Sequence, residues 1–147
     1  MLDKMLRGVA IADLEMAMER LGLPAQLETL TSGAPVLRSA IGGLTFNVRP
    51  GGLMEGTEGG ARHGDYSFNL MIQAERALDP VILNEWNRQK RFARLFQRDG
   101  FLVMEMDQLA VGISGDQILA SMELWGRLVV EALNFLRAAH APESGPN

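Results

Sequence analysis

Residues 93–107 read ARLFQRDGFLVMEMD, and the register of this stretch decides the fold. Asp99-Gly100 is a pair favoured in a two-residue type I′ hairpin loop, because both central positions need positive φ. With the loop there, the ladder follows by counting outward. Arg98 opposes Phe101, Phe96 opposes Val103, and Arg94 opposes Glu105. Side chains alternate between faces along a strand. Ala93, Leu95, Leu102, Met104 and Met106 therefore share an apolar face, expected to lie on the core. The other face joins Arg94 to Glu105 and sets Asp107 near Arg91 or the end of the ladder. Exposed cross-strand pairs of this kind contribute about 0.2–1 kcal/mol each, so they steer register more than they stabilise.

Upstream of the hairpin, Asp79-Pro80 has the form of an N-cap followed by the proline tolerated at the first helical position. Ile82, Leu83 and Trp86 then make the buried stripe of a short helix. Further back, Leu44, Phe46 and Val48 alternate with Thr45, Asn47 and Arg49, and Tyr66, Phe68, Leu70 and Ile72 alternate with polar neighbours and Met71. That period of two predicts an antiparallel sheet wet on one face. Ser32-Gly33 and Gly42-Gly43 punctuate further strands. Near the start, Ile11, Leu14, Met18 and Leu21 trace one face of a helix that Gly22 closes and Pro24 ends. After the hairpin, Ser114 caps a long helix through Gln117. Its apolar positions include Ile118, Met122, Trp125, Val129, Ala132 and Leu136. Leu119, Leu124, Leu128 and Phe135 widen the stripe beyond what one packing face needs, which suggests another subunit, with Leu124, Leu128 and Phe135 as the candidate dimer surface.

The order is helix, four strands, helix, two strands, helix: an α+β fold with an antiparallel sheet. A chain of 147 residues fits one domain, placed at residues 1–140, with 141–147 (APESGPN) expected to be a disordered tail. The formal charge of −4 supplies no field towards nucleic acid or anionic lipid. There is no cysteine, which removes thiol nucleophiles and thiolate metal sites and suits a reducing compartment. No signal-peptide core or apolar run of about 20 residues is present, so a cytoplasmic protein is expected.

The basic cluster Arg88, Lys90, Arg91, Arg94 and Arg98 sits beside Trp86. Arg94 already has acidic partners, whereas Arg88 and Arg91 lie on the polar side of the helix as a solvated face or an anchor for an acidic partner. Trp86 is most simply a core residue; an interface hot spot is the alternative. Nucleic acid would need a basic face with stacking groups, and Glu105 and Asp107 on that same face oppose it. The segment from Arg49 to Asp65 holds six glycines from Gly51 to Gly64 without a phosphate-loop spacing or a following helix, so a flexible hairpin tip is expected. Glu55, Glu58, His63 and Asp65 have irregular spacing for a metal, and His63 and His140 form no recognisable triad. No catalytic, cofactor-binding or metal residue is assigned.

The stretches LNEWNRQKRFARLF, DGFLVMEMD and ELWGRLV resemble the signature of the bacterial YbjN family of sensory-transduction regulators. The matching positions are Trp86, Asn87, Lys90, Arg91, Phe92, Leu102, Glu105, Met106, Asp107 and Trp125. The resemblance covers roughly Leu14 to Leu136 and implies a fold like that of type III secretion chaperones. It further implies a non-enzymatic, cytoplasmic protein, with dimers that bind other proteins. The glycine-rich segment is the main departure from the pattern. The preferred expectation is a homodimeric, chaperone-like module binding another protein, with no membrane or nucleic-acid partner. Its candidate partner-binding residues are Trp86, Asn87, Arg88, Arg91 and Arg94. A small-ligand-binding domain or small enzyme is the alternative.

Overall fold

The computed structural model describes residues 5–54 and 60–140. Strand β1 (Met5–Arg7) precedes helix α1 (Ile11–Arg20), followed by β2 (Gln26–Thr29), β3 (Pro35–Ile41) and β4 (Leu44–Pro50). The short strands β5 (Leu53–Met54) and β6 (Arg62–His63) lead into β7 (Asp65–Gln73) and helix α2 (Pro80–Gln89). Strands β8 (Ala93–Arg98), β9 (Phe101–Leu109) and β10 (Val111–Ser114) come before helix α3 (Gly115–His140). Six strands form an antiparallel sheet in the order β2-β3-β4-β7-β9-β8. Apart from four short strands outside this sheet, the element order is the expected one.

The hairpin register is the counted one: Arg94 opposes Glu105, Leu95 opposes Met104, and Arg98 opposes Phe101. Asp99 (φ 49°) and Gly100 (φ 81°) both lie in the left-handed region that the two-residue loop requires. Ala93, Leu95, Leu102, Met104 and Met106 are all buried. One outward residue departs from the alternation. Val103 is also buried, flanked in register by Met71 and Phe96, so part of the outer face is apolar and covered.

The core lies between the inner sheet face and the helices. Leu14, Ala17 and Met18 come from α1, and Leu83 and Trp86 from α2. Trp125 of α3 stacks on Phe68 at 5.3 Å between centroids and meets Phe46 edge-on at 6.0 Å. Such ring pairs contribute about 0.5–1.5 kcal/mol beyond burial. Both expected helix starts are in place: the Val81 amide donates to Asp79 Oδ1, and the Gln117 amide donates to Ser114 Oγ.

Two expectations are corrected. Leu128 is buried and so leaves the candidate dimer surface, while Leu124 packs against the core and the Phe135 ring lies 5.6 Å from that of Trp86, both still part-exposed. Helix α1 also packs against α3. The glycine-rich segment is not simply a flexible tip. Its described part forms β5 and β6, and His63 is buried with Nδ1 donating to the Gly51 carbonyl at 2.9 Å. Val9 and His63 exchange backbone hydrogen bonds, and Arg62 bonds Asp13 and the Gly8 carbonyl. Gly8 has φ 85°, and a Cβ there would stand 2.9 Å from the His63 carbonyl oxygen, so glycine is needed for this close approach. Glu55 and Glu58, and the tail at 141–147, lie outside the described residues.

Candidate functional site

Strand β8 is an edge of the sheet, and edges invite pairing with foreign chains. Helix α2 closes this one with side chains. The Trp86 indole donates to the Ala93 carbonyl at 3.1 Å. One turn of chemistry further along, the Asn87 amide donates to the Leu95 carbonyl and accepts from the Leu95 N–H, both at 2.9 Å. Asn87 thus reproduces the two-bond contact of a neighbouring strand. Lys90, at the helix end, reaches Glu131 of α3 at 3.1 Å and lies over the Trp86 ring.

Between these fixed points the chain makes a sharp corner. The Ala93 N–H donates to the Arg91 carbonyl at 3.0 Å, and Phe92 has φ 78°. An i→i+2 bond with this sign of φ is the rarer, strained form of the γ-turn. Positive φ is an outlier for a bulky residue and costs about 1–3 kcal/mol, sustained only where neighbours over-determine the backbone. Trp86 and Asn87 supply that constraint by holding Ala93 and Leu95. The turn directs the Phe92 ring outward, where it is 66 % exposed. The Arg91 guanidinium sits 5.8 Å from the ring centroid and makes no ion pair with the described residues.

The outer sheet face beside this corner is internally matched. Arg94 bonds Glu105 at 2.5 Å and Asp107 at 2.9 Å. Asn69 donates to Glu105, and Ser67 donates to Asp107. The bond to Asp107 leads in raising the Arg94 guanidinium's pKa above its ordinary value. Burial pushes the Asp107 carboxyl up, but the Ser67 and Arg94 hydrogen bonds outweigh it and leave the group below its usual range. Asp107 therefore serves Arg94, not Arg91.

The residues singled out from the sequence separate into distinct roles. Trp86 is fully buried, which corrects its place among partner-contacting residues: the indole is a lock inside the fold. Asn87 has both amide ends engaged on Leu95. Arg88 is exposed and pairs with Glu85 at 2.6 Å; hydrogen bonds from Arg88 and Gln89 hold that carboxyl below its ordinary range. Arg94 belongs to the sheet-face network. Arg91 stays available, together with the exposed Phe92. The positive φ that turns Phe92 outward has no signature in residue type; the motif position was its only signal.

A comparison with family profiles matches residues 10–138 to YbjN, described as "Putative bacterial sensory transduction regulator". The chain belongs to the YbjN family. Membership supports a regulatory role for this YbjN chain. Searches among curated proteins and solved structures gave no match. No helix among the described residues is long and apolar enough to cross a membrane.

Proposed function

We infer that this YbjN chain is a non-enzymatic protein-interaction module, a chaperone-like regulator that holds another polypeptide at the α2–β8 corner. The carrying observation is Phe92, held outward by a strained turn. Leaving a Phe side chain in water forgoes about 1.5–3 kcal/mol of burial, in addition to the backbone cost of its φ.

The other motif residues point the same way. Trp86, Asn87 and Lys90 brace the corner, while Glu105 and Asp107 hold Arg94. Leu102, Met106 and Trp125 are buried in the core. Arg91 and Phe92 alone among those ten positions have no such internal duty. An exposed ring beside an unpaired cation suits a partner surface carrying apolar groups next to carboxylates. The reading places that encounter in the cytoplasm.

A ligand-binding or enzymatic role at the hairpin, around Arg91, Glu105 and Asp107, has less support. The apolar hollow lined by Leu95, Met104 and Val129 holds only about 10 Å³. The carboxylates near Arg91 already serve Arg94, Asn69 and Ser67.

Phe92→Gly tests the reading. Glycine adopts positive φ freely, so relief of strain should offset the added chain entropy and leave stability unchanged or higher by up to about 1 kcal/mol. Affinity capture from the source cells should lose the partner that wild type retains. Capture unaffected by Phe92→Gly would refute the assignment.

A further inference from the structure

The two edges of the six-stranded sheet end differently. Asn87 of α2 seals β8, whereas β2 ends the sheet with nothing hydrogen-bonded beyond it among the described residues. The register shows which backbone groups this leaves open. The Leu30 N–H donates to the Ala34 carbonyl at 2.9 Å, so counting along the ladder makes Glu28 with Val36 and Gln26 with Arg38 the hydrogen-bonded pairs. Leu27 and Thr29, in the alternate pairs with Leu37 and Pro35, aim their N–H and C=O groups off the sheet. The Leu27 side chain shares the inner face with the core residue Leu37, yet it is 52 % exposed. The same register carried back past Pro24 sets Leu23 across from Ile41. With Leu21 they wall an open groove of about 620 Å³, floored by Met122, Gly126 and Val130 of α3.

We propose that β2 takes up an extended segment of another polypeptide as an added strand, with a basic residue between two aliphatic ones. Strand addition at an edge supplies main-chain hydrogen bonds for affinity and alternate side-chain contacts for specificity. An added strand bonds Leu27 and Thr29, so its residue between those pairs opposes Glu28 at the closer, non-hydrogen-bonded spacing. Glu28 lies on the outer face beside Arg38, which it meets at 3.1 Å. A Lys or Arg opposite gives that carboxylate a second cation. The aliphatic neighbours project inward beside Leu27, towards the groove. A second copy of this chain fits worse. Antiparallel pairing of β2 with β2 that uses both Leu27 and Thr29 sets Glu28 against the second copy's Glu28, like charges at the closest spacing. Charge therefore selects a different, basic segment.

This site uses none of the corner residues, so it is tested apart from the α2–β8 reading. The probe is a labelled peptide containing Val-Lys-Val, titrated into the full chain, with a Val-Glu-Val peptide as its comparison. The Val-Lys-Val peptide should bind saturably and slow amide hydrogen exchange at Leu27 and Thr29. Leu27→Pro removes one outward N–H that the sheet does not use, a placement of proline that edge strands tolerate. It should weaken binding about tenfold or more. Glu28→Arg should reverse the preference in favour of Val-Glu-Val, and this holds as a test even if Leu27→Pro fails to fold. Phe92→Gly should leave the peptide affinity unchanged whatever it does to partner capture. No saturable binding at millimolar peptide overturns the proposal. So does binding that a folded Leu27→Pro chain retains in full, or a preference that Glu28→Arg leaves as it was. Exchange protection at Leu27 and Thr29 without peptide, in a chain of doubled mass, would assign the edge to a second copy and equally overturn it.

Discussion

The Asn87 side-chain amide bonds both backbone groups of Leu95, standing where a further strand would otherwise pair with β8. The edge is thereby closed without a Pro, a bulge or a lysine, the commoner devices for discouraging foreign pairing. The same contact fixes α2 to the sheet and holds the corner that turns Phe92 outward.

Asn87→Ala should therefore destabilise the fold by about 1–3 kcal/mol, because a polar backbone group at the edge loses its partner. It should also promote self-association through the opened strand. Asn87→Asp keeps the acceptor for the Leu95 N–H but loses the donor to the Leu95 carbonyl, so it should fall between wild type and alanine. Urea unfolding with light scattering checks both effects. An unchanged midpoint for Asn87→Ala would show that the amide contact contributes nothing.

Leu95 and Arg94 are neighbours with opposite fates in the hairpin. Leu95→Ala should cost about 2–5 kcal/mol, the range for cavities in a packed core. Arg94→Ala should cost at most about 1 kcal/mol, since its carboxylate contacts lie on the exposed face. Denaturant midpoints of the two variants decide the matter, and a larger loss at Arg94 would reverse the faces.

Tyr66 is the chain's only tyrosine. Its hydroxyl lies 2.6 Å from Ser121 Oγ. Burial pushes its pKa up to about 12, against the opposing hydrogen bond with Ser121. The folded chain thus holds the phenol proton more tightly than the unfolded chain, whose tyrosine ionises near pH 10. This contribution to stability is full below about pH 10 and is lost as pH rises towards the folded value. Near-ultraviolet titration should show phenolate only near pH 12 or together with loss of the fold. Ionisation near pH 10 with the fold intact would contradict the buried placement.

The hairpin was legible because Asp99-Gly100 fixes a register and strict alternation carries it outward. The helices were legible because periodicity and caps agree at Asp79 and Ser114. The four short strands were not: each has two to four residues, too few for a period. Their pairings depend on contacts such as Val9 with His63, far apart in sequence. The apolar width of α3 is plain in the sequence, but that its Phe135 meets Trp86 of α2 is not. At the corner, parity placed the basic residues, whereas the strained φ of Phe92 arises only once Trp86 and Asn87 hold the flanking backbone.

The most direct test of the interaction reading is a photo-crosslinking amino acid placed at position 92 in the source cells, with exposed Met16 of α1 as the control position. A discrete protein adduct at position 92, absent at position 16, is the predicted result. No adduct at position 92, or the same adducts at both positions, would contradict it.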